Sequence, residues 1–529
     1  MAPLLKSMLL LSALSIVTAE QIKSTQPLRG EAYVGRPAVR HAMRQKTRYE
    51  PGSLSVHRDS GNTRSEDFEA PLGVNPKVEA IKMAPPFNMF WDEEGRVLAA
   101  NQCRENTTCI VSLDPDTYEI EATYPEPDQP SDLSQTLMVY MQLLDGHVTT
   151  STANRHILEL EIVGKGAKTT FVTKRDIDLS NVTSANELIL STSYDSDGNL
   201  WFTTGGFAGA GFPAGDTATL GYVEPGGKVH TLKLPDKMIE NSFAISGTDV
   251  YLLTGPAGSA DHADASGSFL YMQPSPEGVK VIAELLYEAG DGIKKGSISR
   301  GAGSTPSLLG HKYVAFTDNA NDQVNVIVYP QGSALTNNTK PLCTVPLFEK
   351  GSSSNENAGV NHWDGKSTYS MVFSNFYNGP PLAQLRDAPF GDGTDSDPEI
   401  LNGPFNDLSA VGPGLTRVDF DERTGKCTTR WYNKSIRTTI TPIMSTKTGL
   451  LYMPTQDYKL AQKGSYVYYV SALDFETGKE VWKVRTGAGG VFSNHFQTPV
   501  LTKDGGVGHY VIGGFVKVKD GKKPKGTGH

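Results

Sequence analysis

The sequence predicts an all-β protein folded as a single β-propeller of eight four-stranded blades. The chain has 54 glycines and 32 prolines in 529 residues and few helix-like runs, which indicates many turns. A hairpin pattern recurs along the chain, and no Ser/Pro-rich linker separates the copies between residues 85 and 515. Small sheets cannot bury both faces alone, but sheets arranged radially cover one another.

The first hairpin of each blade is a few strand residues, a turn centred on glycine, and a β-rich run that ends in small polar residues. Copies occur at residues 90–101, 141–152, 194–205, 245–255, 307–319, 362–375, 443–456 and 500–514. Their turn glycines are Gly95, Gly146, Gly198, Gly247, Gly310, Gly365, Gly449 and Gly505. If one copy is fortuitous, the ring has seven blades.

A second hairpin follows most copies, most clearly at residues 110–124, 220–235, 415–432 and 469–487. Its turns contain Pro-Gly-Gly or Thr-Gly-Lys, which supply the positive φ that tight hairpins need. Two hairpins in about fifty residues make one four-stranded sheet, as in propeller blades. A row of four or five sandwich domains is the alternative, and it would require linkers.

The ends of the chain predict how the ring closes. The eighth copy continues into a third strand at 515–520 and then stops, while residues 76–84 read as a lone strand before the first copy. Pairing these two strands closes the last blade with an N-terminal strand and removes an exposed sheet edge. The domain is therefore expected at 76–520, after an irregular strap at 20–75 and before a basic tail at 521–529.

The N-terminus reads as an export signal. Residues 1–19 carry Lys6, an apolar stretch from Met8 to Val17, and small residues before a cleavage point after Ala19. We therefore expect a secreted protein, and no later segment is apolar and long enough to span a membrane. The net charge of −9 becomes −10 once Lys6 is removed (−9 − 1), which argues against nucleic acid as a partner.

Export also predicts disulfides and glycans. The four cysteines are expected to pair, Cys103 with Cys109 across a short polar loop and Cys343 with Cys427 over a long range. Glycosylation sequons stand in turn-like or polar sequence, at Asn106, Asn181, Asn337 and Asn433.

Two repeat families resemble parts of the chain. The sequence ALDFETGKEVW (472–482) is similar to the repeat of the quinoprotein alcohol dehydrogenase-like propellers, with Asp474, Thr477-Gly478 and Trp482 at the motif positions. VDFDERTGKCTTRW (418–431) is similar, with Asp419, Thr424, Gly425 and Trp431. The third unit, from DSDGNLWFTTGG (195–206) onward, resembles the repeat of streptogramin-lyase and gluconolactonase-like propellers.

These resemblances support a propeller and leave the activity open. The quinoprotein resemblance implies pyrroloquinoline quinone (PQQ) and calcium, together with adjacent cysteines over the cofactor. No two cysteines of this chain are adjacent, and the calcium-binding set cannot be placed by motif. Streptogramin lyases are smaller and would carry the lyase-type unit throughout. Neither activity transfers residue by residue.

Candidate site residues are expected at one face of the propeller, where loops after the second strands meet the segments that enter the inner strands. We predict catalytic roles for His362 and His495, oriented by Asp318 or Asp457. Substrate binding is predicted for amide side chains on the same face, at Asn319, Asn361, Asn375, Gln456 and Asn494. The alternative for each of them is that it caps a strand end or solvates a channel.

A long acidic loop supplies the candidate cation site. Residues 376–414 include hard oxygen ligands close together, at Asp392, Asp395, Asp397 and Glu399. Such ligands suit calcium or magnesium, although the spacing is not that of an EF-hand and a solvated acidic loop is the alternative.

The sequence therefore leads to three functional hypotheses. The first is a secreted enzyme of lyase or hydrolase type that acts on a small extracellular molecule at the central mouth, with histidines as acid/base groups or metal ligands. The second is a non-catalytic propeller that binds a ligand or partner, and the third is a PQQ-dependent oxidoreductase. None of the three involves nucleic acid or a membrane.

Overall fold

The computed structural model describes residues 20–84, 86–104, 107–126, 140–206, 215–301, 303–337, 339–380, 402–438, 440–494 and 498–522. The predicted signal segment and most of the predicted tail lie outside these residues. Eight antiparallel sheets of four principal strands stand in a ring, which confirms the eight-bladed propeller.

In blades 1 to 7 the four principal strands run from the axis outward in chain order. Blade 1 contains Pro86–Trp91, Val97–Arg104, Thr107–Leu113 and Ile120–Tyr124. Blade 2 contains Gln142–Leu144, His147–Ser151, His156–Val163 and Thr170–Asp178. Blade 3 contains Leu188–Tyr194, Leu200–Gly205, Thr217–Val223 and Val229–Pro235. Blade 4 contains Ala244–Ser246, Asp249–Pro256, Ser266–Ser275 and Gly278–Glu288, plus the short strand Lys237–Met238.

The second half of the ring repeats this order. Blade 5 contains Ser307–Leu309, Tyr313–Thr317, Asn325–Pro330 and Cys343–Pro346. Blade 6 contains Val360–Trp363, Thr368–Ser374, Leu415–Asp421 and Lys426–Asn433. Blade 7 contains Ile443–Ser445, Leu450–Gln456, Val467–Asp474 and Glu480–Ala488. Blade 8 contains Val500–Leu501, Val507–Val511 and Gly514–Lys519, with Lys77–Lys82 as its outer strand.

The turn between the first two strands requires glycine in every blade. All eight predicted turn glycines have positive φ, from 57° at Gly310 to 87° at Gly95. Side chains with a Cβ rarely adopt this conformation, so glycine is the residue that closes these hairpins. We call the face that carries the eight hairpins the lower face and the opposite one the upper face.

The predicted ring closure is confirmed. Lys77–Lys82 pairs antiparallel with Gly514–Lys519, with Val78 opposite Val518 and Ala80 opposite Val516. The N-terminal strand thus completes blade 8. Because both chain ends share one sheet, opening the ring requires breaking a complete strand pairing.

The motif residues that resemble the repeat families stabilise hairpin turns and the packing between blades. In blade 7, Asp474 Oδ1 accepts hydrogen bonds from the backbone N–H and hydroxyl of Thr477, at 2.8 and 2.7 Å. Trp482 is fully buried in an apolar cluster formed by blades 7 and 8. In blade 6 the turn carboxylate is Asp421 rather than Asp419, which instead pairs with Arg417 at 2.7 Å.

The N-terminal segment wraps the ring before it enters the axis. The N–H of Ile22 donates a hydrogen bond to the carbonyl of Ala80 in blade 8. Tyr33–Gly35 then adds a strand to the outer edge of blade 7. Residues 38–49 then cross the lower face, where the N–H of Met43 donates to the carbonyl of Thr446 at 2.7 Å.

Among the residues that the structure describes, helices are few and short. They are the α-helices Ser333–Asn337 and Tyr458–Ala461 and the 3₁₀ turns Gly166–Lys168, Gly258–Ala260, Pro404–Asn406, Leu408–Ala410 and Gly490–Phe492. Within the described part of the chain, none of the helices is long and apolar enough to cross a bilayer.

One predicted disulfide joins neighbouring blades. Cys343 in the outer strand of blade 5 is bonded to Cys427 in the outer strand of blade 6. Cys109 is also disulfide-bonded, while the side chain of Cys103 lies outside the described residues.

Candidate functional site

The axis of the propeller is occupied by the chain's own N-terminal residues. We call residues 53–66 the axial segment, and every residue of it from 56 to 66 is buried. Its carbonyls accept hydrogen bonds from inner-strand N–H groups of successive blades. Ser60 accepts from Ile245 and Gly61 from Leu308, both at 2.8 Å.

Further contacts continue around the axis. Leu54 exchanges two backbone hydrogen bonds with Leu143 of blade 2, and the carbonyl of Thr63 accepts from the N–H of Asn361 in blade 6. Ser65–Glu66 runs parallel to the inner strand of blade 7. The axial segment thus satisfies backbone donors on inner strands that would otherwise face a polar channel.

The upper end of the axis is lined by polar residues two or three positions ahead of the inner strands. They come from blades 2, 4, 5, 6 and 8, and they are Tyr140, Asn241, Thr305, Asn357 and Thr498. Because the inner strands converge, residues far apart in sequence meet here. From below, the axial segment contributes the buried side chains of His57 and Arg64.

A continuous hydrogen-bond network joins these side chains. Asn241 accepts hydrogen bonds from the hydroxyls of Tyr140 and Thr305, the second at 2.7 Å. His57 Nε2 lies 3.0 Å from Thr305 Oγ1, and Arg64 Nη2 donates to His57 Nδ1 at 2.9 Å. Since an arginine can only donate, the acceptor nitrogen of His57 is Nδ1 and its proton is on Nε2.

The charge state of His57 agrees with that tautomer. Burial lowers the pKa of His57 well below its usual value, and the positive charge of Arg64 lowers it further. The imidazole is therefore neutral at physiological pH. It connects Arg64 to Thr305 without adding charge to the axis.

Two buried carboxyl groups lie beside this network. Glu240 precedes Asn241, Glu356 precedes Asn357, and both glutamates are buried. A Cβ placed on Gly303 would lie 2.9 Å from Glu240 Oε1 and closer still to Glu356 Oε2, so the glycine makes room for the pair. We call Glu240 and Glu356 the carboxyl pair.

The two groups of the carboxyl pair cannot both ionise easily. Burial raises the pKa of Glu240 well above its usual value, and the neighbouring charge of Glu356 raises it again. Burial also raises the pKa of Glu356, opposed by hydrogen bonds from Glu240, Ser297 and the N–H of Ile298. The pKa of Glu240 is therefore the more strongly raised of the two, and the pair titrates as a unit.

The predicted residues His362 and Asn361 lie within the inner strand of blade 6, below the upper cluster. His362 Nε2 donates to the carbonyl of Arg44 at 3.0 Å, and burial lowers the pKa of the imidazole. The side-chain amide of Asn361 is buried and has no hydrogen-bond partner among the described residues. The hydrogen bond of His362 favours a structural role for that residue, and the functional roles of both residues stay predictions.

Three predicted residues sit in upper-face loops of blades 5 and 6. Asp318 accepts the N–H of Asn325 at 2.7 Å, and burial raises the pKa of its carboxyl to about 6. Asn319 donates to the carbonyl of Ala289 at 2.8 Å. Asn375 accepts the N–H groups of Ser354 and Tyr377. These bonds hold loops in place, as in the alternative raised for each residue.

Three more predicted residues lie around blades 7 and 8. Gln456 accepts the N–H of Leu408 at 2.9 Å, and Asp457 caps the helix Tyr458–Ala461. Asn494 donates to the carbonyl of Tyr510 at 2.7 Å and lines a cavity of about 10 Å³, enough for about one water molecule. No hydrogen bond joins Asp318 or Asp457 to His362 among the described residues.

Some predicted residues fall outside the described ranges. They are His495, the acidic set Asp392, Asp395, Asp397 and Glu399, and the sequon residue Asn106. Within the described ranges, no three His, Cys, Asp or Glu side chains are grouped as metal ligands. Of the other sequon residues, Asn181 and Asn337 are exposed, whereas Asn433 is half-buried and donates its amide to the carbonyl of Gly478.

The upper cluster had a signal in the sequence. Asn241, Thr305, Asn357 and Thr498 stand five to eight residues before the turn glycine of their blade, whereas Asn361 stands only four before Gly365. In blade 6, Asn357 and Glu356 stand eight and nine residues before Gly365, beyond the four residues of the inner strand. The burial of the axial segment had no comparable signal, because residues 53–66 are polar and lack periodicity.

Comparisons with known proteins give no family for the chain. No family model and no curated protein matches it. Solved structures that are similar include streptogramin B lyase (12% identity, 84% of this chain, 98% of that one, TM-score 0.33). Others are Sqt1 from Chaetomium thermophilum (9%, 83% and 97%, 0.46) and the WD40 domain of SCAP from fission yeast (8%, 84% and 98%, 0.43). The propeller fold itself rests on the eight sheets described above.

Proposed function

We propose that the protein is a secreted enzyme of lyase or hydrolase type that acts on a small polar molecule at the upper end of the axis. The observation that carries the proposal is the carboxyl pair, two adjacent buried carboxyl groups with raised pKa values at the convergence of the inner strands. Titratable groups perturbed in this way are concentrated at functional sites.

The chemistry follows from the unequal protonation of the pair. Neutral Glu240 can donate a proton to a leaving group, and ionised Glu356 can accept one from water or from an acidic C–H bond. The hydroxyl of Tyr140 and the amide of Asn357 add hydrogen-bonding groups near the carboxyls. In this proposal His362 fixes the N-terminal strap through the carbonyl of Arg44 and takes no part in proton transfer.

Secretion belongs to the same proposal. The signal features of residues 1–19 support it, and the disulfide between Cys343 and Cys427 is compatible with an oxidising compartment. The exposed Asn181 and Asn337 would carry glycans in such a compartment.

The test is a turnover screen of the purified mature protein with a panel of small lactones, esters and sugar acids. Glu240→Gln and Glu356→Gln preserve side-chain shape and remove the acid and the base, so each should lower turnover about 10²- to 10⁴-fold. The matched control is Glu349→Gln, an exposed glutamate whose replacement should leave turnover unchanged. The variant His362→Ala, provided that it folds, should have the same turnover as wild type.

Other results would contradict the proposal. Full turnover in both carboxyl-pair variants would remove the assignment of acid and base, and lost turnover in a folded His362→Ala would restore the histidine hypothesis. Saturable binding of a panel compound without product would indicate a non-catalytic binding propeller. The contacts of Trp482 and Asp474 support a quinoprotein-type repeat, which keeps the oxidoreductase hypothesis open. Stoichiometric binding of PQQ with calcium, together with reduction of a dye, would indicate that function.

A further inference from the structure

Arg64 of the axial segment carries a buried charge without a carboxylate partner. Its side chain is 0% exposed. Its donors reach three neutral acceptors: His57 Nδ1, Asn357 Oδ1 at 2.6 Å and Thr498 Oγ1 at 3.2 Å. Its Nε has no hydrogen-bond partner, and no carboxylate of the described residues lies within 4.0 Å of it. A buried guanidinium without countercharge is costly to keep in a fold.

Other buried cations of the protein do have countercharges. Lys46 lies 3.0 Å from Asp59, and Arg58 lies 4.0 Å from Glu66. Away from the axis, Arg417 forms a bidentate pair with Asp419, at 2.7 and 3.2 Å. Arg64 thus differs from these cations in having no carboxylate within 4.0 Å among the described residues, and not in being buried.

One partner of the guanidinium reaches solvent. Arg64 is fully buried, but its acceptor Asn357 is half-buried. Arg64 donates to Asn357, and the amide of Asn241 donates to the carbonyl of Glu356, so the charge and the carboxyl pair border the same hydrogen-bond network. A molecule bound at this network is therefore near a fixed positive charge. The neutral His57 on the other side of Arg64 supplies no compensation.

We propose that the upper end of the axis binds a small anion, a carboxylate or a phosphate group, with Arg64 as its countercharge. The unpaired Nε–H of Arg64 is a donor left for such an anion, and guanidinium N–H groups bind the oxygens of either group. The inference rests on the proposed function to the extent that the anion is part of the substrate. The anion supplies the countercharge that the fold omits, and the N-terminal segment thereby contributes a binding residue to the propeller.

The test measures anion binding by calorimetry and thermal shift on the full mature chain, with inorganic phosphate and acetate as separate probes. Wild type should bind one of them with saturation and a raised Tm, and which probe binds distinguishes phosphate from carboxylate. Arg64→Gln should weaken binding about 10- to 100-fold, the range for a hydrogen bond to a charged group. Asn357→Asp places a carboxylate on Arg64, so it should raise the Tm and also abolish binding.

Controls separate this inference from the catalytic proposal. Arg417→Gln removes a buried arginine that has its own countercharge, and it should lower stability but not anion binding. Glu356→Gln should keep anion binding even where turnover is lost. Absence of saturable binding of either probe by wild type overturns the inference, as does undiminished binding in Asn357→Asp. The Asp variant keeps the test decisive if Arg64→Gln does not fold.

Discussion

His509 provides a quantitative test of how the blades pack. It lies in Val507–Val511, the second strand of blade 8, and is 1% exposed. Neither ring nitrogen has a hydrogen-bond partner, and burial lowers the pKa of His509 to about 3. A neutral imidazole held this way loses its hydrogen bonds to water and gains none in return.

The pH dependence follows from the direction of the shift. Below about pH 6.5, the ordinary pKa of histidine, His509 binds a proton in the unfolded chain. In the folded chain His509 binds that proton only near pH 3. Stability from this residue is therefore complete above pH 6.5 and is lost as the pH falls. At about pH 5 the loss is about 1.5 × 1.36, or roughly 2 kcal/mol.

The perturbation is His509→Leu, which removes the titration and buries an apolar group of similar size. We expect it to raise the free energy of unfolding by about 1–3 kcal/mol at neutral pH. Its advantage over wild type should grow by about 2 kcal/mol more at about pH 5. Reversible denaturant unfolding of both proteins at the two pH values measures this double difference.

The control is His262→Leu, an exposed histidine in a loop of blade 4. This change should leave the pH dependence of stability as it is in wild type. If His509→Leu shows the same fall in stability between neutral pH and pH 5 as wild type, the inter-blade burial of His509 is refuted.

Three other changes test separate parts of the structure. Gly303→Ala places a methyl group against the carboxyl pair and should abolish turnover and cost about 1–3 kcal/mol, whereas Gly226→Ala, in open space, should change neither. Removal of the Cys343–Cys427 bond, which spans 84 residues, by the paired changes Cys343→Ser and Cys427→Ser should lower the free energy of unfolding by about 2–4 kcal/mol, measured in denaturant. Trp482→Ala should cost about 3–5 kcal/mol in the same assay, and a loss below about 1 kcal/mol would contradict its burial between blades 7 and 8.

The ring was predictable because each blade has a local sequence pattern that marks it. A hairpin turn that needs positive φ leaves a glycine in the sequence, and Gly95 and Gly505 mark the first and last of eight such turns. Blade 8 lacks a fourth strand in the C-terminal sequence, and residues 76–84 form a strand without a neighbour in sequence. Together these two features predicted that the N-terminal strand completes blade 8. The Cys343–Cys427 bond was predicted from the even cysteine count together with the expectation of export.

The contents of the axis were not predictable in the same way. The axial segment is buried because inner strands of blades 2, 4, 5, 6 and 7 meet its backbone. These contacts join residues 89 (143 − 54) to 380 (444 − 64) positions apart. Its own sequence is polar and would suit an exposed loop equally well. Glu240 and Glu356 likewise read as solvated connections until the ring brings them together.

The predicted site residues and the carboxyl pair differ in position for a geometric reason. Asn361 and His362 are predicted to enter the inner strand of blade 6, but that strand begins at Val360 and both residues lie inside it. An offset of about five residues moves a side chain from the upper mouth to the wall of the channel, at about 3.3 Å per residue.

Hydrogen exchange of the axial segment tests the central claim most directly. The site exists only if residues 53–66 are held inside the ring, where Arg64 N–H donates to the carbonyl of His57 and Asn361 N–H donates to Thr63. We expect amides of residues 56–66 to exchange as slowly as those of the inner strands. Exchange at the rate of an exposed loop would show that the segment is outside the axis, and Arg64 would then have no place in the site.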